Sequence, residues 1–196
     1  MPDDTISINR APVLTLWGAV VAERLGYDRE AALTLGKAMA GLNAQSKGRS
    51  LGVFGPAKAP EEGGPPKKTG LGEDFWIEVC GRPVPAKQTE AGVRAVVGEK
   101  PLDPAGVEKY LAGKFGDVLE SVRAAMAELA ASFEPDDLKA AAYNLYERFR
   151  PQIASGKRGW GQRGDLSLTL IRSLGGKTGT VTNSRQAPMS GPVANW

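Results

Sequence analysis

The sequence predicts a mixed α+β fold that is predominantly α-helical, and two observations support this prediction. Apolar residues recur at helical spacing over most of the chain, whereas two short runs between residues 75 and 97 have the composition of strands. The 196 residues are 41% hydrophobic and 24% charged, which is typical of a globular protein. We expect an N-terminal helical hairpin, a small antiparallel sheet of two or three short strands, and a C-terminal helical portion.

The helical hairpin is predicted over residues 12–45. Pro12 suits the first turn of a helix, Gly26 is a good helix stop, and Asp28 is a good N-cap for the second helix. Gly36 weakens the second helix but allows another helix to approach closely. The connection between the two helices is therefore only about three residues long.

Two uses of this hairpin stay open. Its short turn is compatible with a DNA-reading helix-turn-helix, but the second helix offers only Arg29 and Lys37 beside Glu30. A reading helix normally presents several Arg, Lys, Asn or Gln side chains to base edges. Packing is the interpretation that we favour, either within the chain or in a homodimer through Gly36 and Gly41.

The middle of the chain changes composition twice. Residues 55–73 are rich in proline and glycine, which predicts a long loop. A β-hairpin is predicted over 75–97, where Pro83 and Pro85 favour a sheet edge for the end of the first strand. The strands are predicted over 75–84 and 93–97, with a candidate third strand over 50–54.

Residues 104–174 are predicted to be helical, because apolar residues again repeat with a helical period. Pro135 opens one of these helices, and Asp165 is the predicted cap of the last one. Residues 175–196 lack any such period and are predicted to be a flexible tail. We therefore expect one globular domain over residues 1–174.

The absence of histidine from the sequence excludes the usual base of serine and cysteine nucleophiles. Cys80 is the only cysteine, so neither a cysteine cluster for zinc nor an internal disulfide can form, and we expect it to be a small buried residue. We predict no catalytic residue, no metal ligand and no cofactor. No apolar run approaches the roughly 18 residues of a membrane span, and residues 1–10 lack the apolar region of a signal peptide, so we expect no membrane contact and a cytoplasmic location.

Three glycine-containing segments resemble motifs for catalysis or nucleotide binding, and the residues around each one argue against that function. Residues 48–52 fit the G-x-S-x-G of a nucleophile elbow, but a predicted helix precedes them and there is no histidine base. Residues 175–178 resemble the end of a P-loop, but Ile171 stands where its first glycine belongs. Residues 159–164 match G-x-G-x-x-G, but neither a preceding strand nor the later acidic residue of a dinucleotide site is present.

The same 159–164 region is the most informative part of the chain for its charge. Lys157, Arg158 and Arg163 surround Trp160, so cations and one aromatic ring could grip phosphate and stack a base. Residues 151–196 hold six basic residues and one acidic residue, whereas the rest of the chain has slightly more acidic than basic residues. Arg49, just past the hairpin, is the fifth residue of this predicted anion-binding set. The alternative is a solvated connector in which Trp160 packs between two helices.

These observations favour a non-catalytic binding or regulatory protein that engages an anionic partner, either nucleic acid or an acidic protein surface. One alternative is a homo-oligomeric structural or interaction protein. Another is a small-molecule-binding protein or enzyme that uses carboxylates such as Asp136 and Asp137, although first-turn acidic residues also complement a helix dipole.

Overall fold

The computed structural model describes residues 4–50, 74–98, 100–154 and 162–175. These residues form a mixed α+β fold that is mostly helical, as predicted. The predicted 55–73 loop, residues 51–54 of the candidate third strand and residues 176–196 of the predicted tail lie outside the described residues. In chain order the elements are β1 (Thr5–Asn9), α1 (Arg10–Arg24), α2 (Arg29–Ser50), β2 (Asp74–Val79), β3 (Arg82–Thr89), β4 (Gly92–Val97), β5 (Lys100–Pro101), α3 (Pro104–Phe115), a 3-10 turn (Gly116–Val118), α4 (Leu119–Ala131), α5 (Pro135–Phe149), β6 (Arg163–Ser167) and α6 (Leu168–Gly175).

Helix α1 is the centre of the core. Every residue from 12 to 22 is buried, so this helix is enclosed on all sides instead of presenting one apolar face. Trp17 lies at its middle, where its indole N–H donates to the carbonyl of Ala142 at 2.8 Å and its ring meets Phe149 edge-on at 5.2 Å. A buried indole needs such an acceptor, so this bond fixes α5 against α1.

Glycine brings α1 and α2 into close contact. A Cβ added at Gly36 would lie 2.6 Å from the backbone nitrogen of Ala19, too close for any side chain. The predicted close approach of another helix at Gly36 therefore takes place within the chain. Gly41, in contrast, is exposed, and a Cβ added there would meet nothing within 4 Å. A homodimer through this helix stays a prediction.

Helix α2 is used for packing along most of its first half. Residues 31–36 and 38–40 are buried between α1, α3 and the four-stranded sheet. Arg29 pairs with Glu108 at 2.8 Å, and the Lys37 ammonium lies 3.5 Å from the centre of the Tyr110 ring. A helix that reads DNA needs a free polar face to enter the major groove. This burial favours the packing interpretation of the hairpin.

The sheet has four strands in the order β2-β3-β4-β5, so the prediction of two or three strands is wrong in number. The predicted strand 75–84 is in fact two strands, because Cys80 and Gly81 form a turn with φ values of 50° and 75°. The composition of residues 75–84 is typical of one strand throughout, so the sequence does not reveal the turn. Pro83 and Pro85 lie in the part of β3 that pairs with β2 alone, which agrees with their predicted edge position.

A second, two-stranded sheet joins β1 to β6 in antiparallel register, from Thr5 opposite Ser167 to Asn9 opposite Arg163. Asp165 therefore lies inside a strand, and its predicted role as the cap of the last helix is wrong. The hydroxyl of Ser167 accepts from the Leu170 N–H at 3.2 Å and caps α6 instead. The apolar pattern at 166–174 runs from a strand into a helix without an interruption that the sequence alone reveals.

Candidate anion-binding interface

The two-stranded sheet forms the base of the segment that carries the predicted site. Gln152 adds a bridge on the free side of β6, since its N–H donates to the Asp165 carbonyl at 3.0 Å and its carbonyl accepts from the Asp165 N–H at 2.9 Å. The chain leaves this bridge after Gln152 and returns to it at β6. Gln152 and β6, which are separated by residues 153–162 in sequence, are therefore neighbours in the structure.

Gly164 makes this arrangement sterically possible. A Cβ added there would lie 2.8 Å from the Gln152 carbonyl oxygen and 2.9 Å from the carbonyl carbon of Pro151. Both are backbone atoms, which cannot move aside as the end of a side chain can. The last glycine of the 159–164 motif is thus explained by backbone packing, with no need for a dinucleotide.

Arg10 and Arg150 lie together at this base. The Arg10 side chain donates from Nε to the carbonyl of Pro151 at 3.0 Å, and the Tyr146 hydroxyl donates to the Arg10 carbonyl at 3.5 Å. Burial and then the nearby positive charge of Arg150 lower the pKa of Arg10 from its ordinary value. Because Pro151, which accepts from Arg10, directly follows Arg150, the Arg10 side chain reaches the chain next to Arg150.

Arg163 supplies a third guanidinium. It is exposed at the start of β6, directly across from Asn9, the residue before Arg10. Within the described ranges, none of these three arginines has a carboxylate oxygen within 4.0 Å of its guanidinium. Asp165, two residues further along β6, is exposed and forms no ion pair with them. This end of the protein therefore carries positive charge without a paired carboxylate.

The structure describes only part of the predicted site. Arg163 is placed at the base of the 153–162 segment, whereas Lys157, Arg158 and Trp160 lie outside the described residues. The backbone of Arg49 belongs to the last turn of α2, but its side chain is also outside them. Whether these residues share one surface stays a prediction.

Sequence reasoning missed Arg10 and Arg150. The contact between Arg10 and Pro151 joins residues 141 positions apart, and no local sequence pattern predicts it. The sequence does place Arg150 at the end of a helix, because helices usually end at or before the residue that precedes a proline, here Pro151. Its partner Arg10, the first residue of α1, could not have been found in this way.

Other chemistry finds little support in the described residues. They contain no group of three or more His, Cys, Asp or Glu side chains that could hold a metal ion. Cys80 is 2% exposed, which confirms the prediction of a small buried residue, and burial raises the pKa of its thiol to about 12. A thiol with this pKa is a poor nucleophile near neutral pH. Asp136 and Asp137 are exposed in the first turn of α5.

No helix among the described residues combines the length and the apolar character needed to cross a membrane. No protein-family model matches the chain, and neither a curated protein nor a solved structure shows significant similarity to it.

Proposed function

We propose that this chain is a non-catalytic binding protein that engages the phosphates of a nucleic acid. The observation that carries the proposal is the group formed by Arg10, Arg150 and Arg163, which has no ion-paired carboxylate and lies at the base of segment 153–162. We call this group the arginine base. It adds two cations, Arg10 and Arg150, to the predicted set that already holds Lys157, Arg158 and Arg163.

Arginine suits this role because its planar guanidinium can donate two parallel hydrogen bonds to one phosphate. The Arg10 carbonyl contact uses only Nε, so its two terminal nitrogens have no acceptor among the described residues. Trp160, three residues before Arg163 in sequence, offers an aromatic ring on which a base of a single strand could stack, and a duplex does not present its bases in this way. The proposal therefore favours single-stranded over double-stranded nucleic acid.

The first experiment measures affinity for single-stranded and duplex oligonucleotides by fluorescence anisotropy at several salt concentrations. The test variant carries Arg150→Gln and Arg163→Gln. The control variant carries Arg29→Gln and Arg123→Gln, which removes the same charge from arginines that are paired with Glu108 and Glu23. Both variants lose two positive charges, so any difference between them comes from position.

We expect the test variant to bind more weakly and to show a shallower salt dependence. Each phosphate contact contributes ~0.9 to the slope for duplex and ~0.7 for single strands, so two lost contacts lower it by ~1.4 to 1.8. The control variant should keep nearly the wild-type slope. Equal losses in the two variants would show that only net charge matters, and the arginine base would then not be the site.

The second experiment tests the role of the aromatic ring with Trp160→Ala. We expect single-strand binding to weaken by ~1–3 kcal/mol while duplex binding changes much less. If the variant unfolds and the wild-type protein binds no oligonucleotide at low salt, Trp160 is a packing residue. The proposed function then fails.

A further inference from the structure

A second cationic group lies between α2 and α3, away from the arginine base. The ring of Tyr110 has two ammonium groups above it, with the Lys37 nitrogen 3.5 Å and the Lys114 nitrogen 6.0 Å from the ring centre. Lys37 is half-buried, whereas Lys114 is exposed in the last turn of α3. Within the described part of the chain neither lysine has a carboxylate oxygen within 4.0 Å.

Lys114 is close enough to Lys37 to disfavour the charged form of Lys37. Burial, followed by the positive charge of Lys114, lowers the pKa of Lys37. The single Tyr110 ring is a weak compensation for two ammonium groups at a partly exposed site. Glu108, two residues before Tyr110 in sequence, is paired with Arg29 at 2.8 Å. The cluster thus has more positive charge than its own surroundings neutralise.

Each of the two helices also carries an exposed glycine near the cluster in sequence. Gly41 lies one turn after Lys37 on α2, and Gly113 lies one turn after Tyr110 on α3, so each glycine is on the same side of its helix as the residue it follows. A Cβ added at Gly41 or at Gly113 would meet nothing within 4 Å. Both glycines are exposed. Lys114 is exposed as well, so the cluster is accessible from solvent.

We propose that Lys37, Lys114 and the Tyr110 ring form a binding site for a phosphate group, either free phosphate or a phosphate monoester. A phosphate carries a charge of about −1.5 to −2 at pH 7, which matches two ammonium groups better than a single carboxylate does. Lysine binds phosphate as a compact point charge, and its three N–H donors can follow the ligand. This inference does not depend on the arginine base, which involves other residues and other elements.

The test supplies the missing negative charge from within the chain. Gly41→Glu places a carboxylate four residues after Lys37, which is the spacing for an ion pair on a helix. Gly41→Gln is the matched control, because it adds a side chain of the same size without the charge. Both substitutions replace an exposed helical glycine and should leave the fold intact.

The measurement follows the Lys37 and Lys114 side-chain signals by NMR during titration with inorganic phosphate, and separately with a nucleoside monophosphate, at constant ionic strength. Chloride at the same ionic strength is the blank. We expect both lysines to shift and saturate together in the wild type and in Gly41→Gln, with affinity about tenfold lower or worse in Gly41→Glu. Tighter binding of the nucleoside monophosphate than of phosphate would identify a monoester as the ligand, and equal affinity would identify the phosphate group alone.

Two results would overturn the proposal. One is that phosphate and chloride give the same response at Lys37 and Lys114, which would make the pair an ordinary cation–π contact. The other is that Gly41→Glu and Gly41→Gln bind phosphate equally well. Lys109→Gln serves as a further control, because it removes a positive charge from an exposed residue of α3 that is not part of the cluster. This variant should bind phosphate as the wild type does. Arg150→Gln with Arg163→Gln should leave this titration unchanged, so the failure of one proposal does not imply the failure of the other.

Discussion

The two ends of α1 lie about 22 Å apart, since each residue of a helix adds about 1.5 Å. At the C-terminal end two arginines are ion-paired, Arg123 with Glu23 at 3.3 Å and, just past the turn into α2, Arg29 with Glu108 at 2.8 Å. Arg24, the last residue of α1, donates to the carbonyl of Phe133 instead. At the N-terminal end Arg10 and its neighbours have no paired carboxylate. The same residue type thus forms ion pairs at one end and lacks a paired carboxylate at the other.

This contrast shows why the net charge of +3 says little about where a partner binds. The partners at the paired end are 79 and 100 residues apart in sequence, so the sequence cannot show which arginines are neutralised. Only the folded structure distinguishes the ion-paired arginines from those without a paired carboxylate. A variant that disturbs one end and spares the other is therefore the most direct test of the comparison.

The largest expected effect comes from the residue between the two ends. Trp17→Ala removes a fully buried ring and its hydrogen bond to Ala142, which should lower the free energy of unfolding by ~3–5 kcal/mol in urea denaturation. Trp17→Phe keeps most of the ring and should cost ~1–3 kcal/mol, because the Ala142 carbonyl loses its donor. A loss below ~1 kcal/mol for Trp17→Ala would show that the packing of Trp17 in α1 contributes little to the stability of the core.

Cys80 belongs to the same core and allows a pH test that involves neither end. Its thiol has a pKa of about 12 in the folded protein, against an ordinary value of 9.0. The raised pKa means that the folded state keeps its proton while the unfolded state loses it, so stability declines as pH rises from 9 towards 12. Cys80→Ala should flatten this decline in urea denaturation at each pH. Identical pH profiles for the two proteins would contradict the prediction.

Gly164→Ala should act at the unpaired end alone. The added methyl group would press on the backbone of Gln152, and we expect a loss of ~1–3 kcal/mol with faster amide exchange in β1 and β6. Exchange in α2 and α3 should change less. Gly113→Ala is the control, since its Cβ meets nothing and the substitution should stabilise by ~0.4–1 kcal/mol. Uniformly faster exchange would mean that the ends are not separable.

The smallest effect is expected at the paired end. The side chains of Arg29 and Glu108 are each 53% exposed, so their ion pair is well solvated. Arg29→Gln should cost ~0.2–1 kcal/mol in thermal or urea denaturation, and the difference from wild type should fade at high salt. A larger, salt-independent loss would show that Arg29 has a packing role.

The sequence predicts the helices well where caps and prolines mark them. Pro135 begins α5, Pro12 lies in the first turn of α1, and Gly26 follows its end. It fails where an element depends on a distant partner. Residues 163–167 become a strand only because β1 is beside them, and Asp165 looks like a helix cap without that strand. The candidate site follows the same rule, since Arg163 was identified from its own neighbours, whereas Arg10 needed a contact with Pro151.

The pairing of β1 with β6 has a consequence for biosynthesis. Helix α1 is synthesised before α5 and β6. Trp17 therefore cannot bond to Ala142, and β1 cannot pair with residues 163–167, until those later segments have been made. During translation the apolar surface of α1 therefore has no complete set of native neighbours until most of the chain has left the ribosome. Contacts this far apart in sequence slow folding and lengthen exposure to aggregation. Nascent chains that stop before residue 142 should accordingly be recognised by chaperones that bind exposed apolar segments.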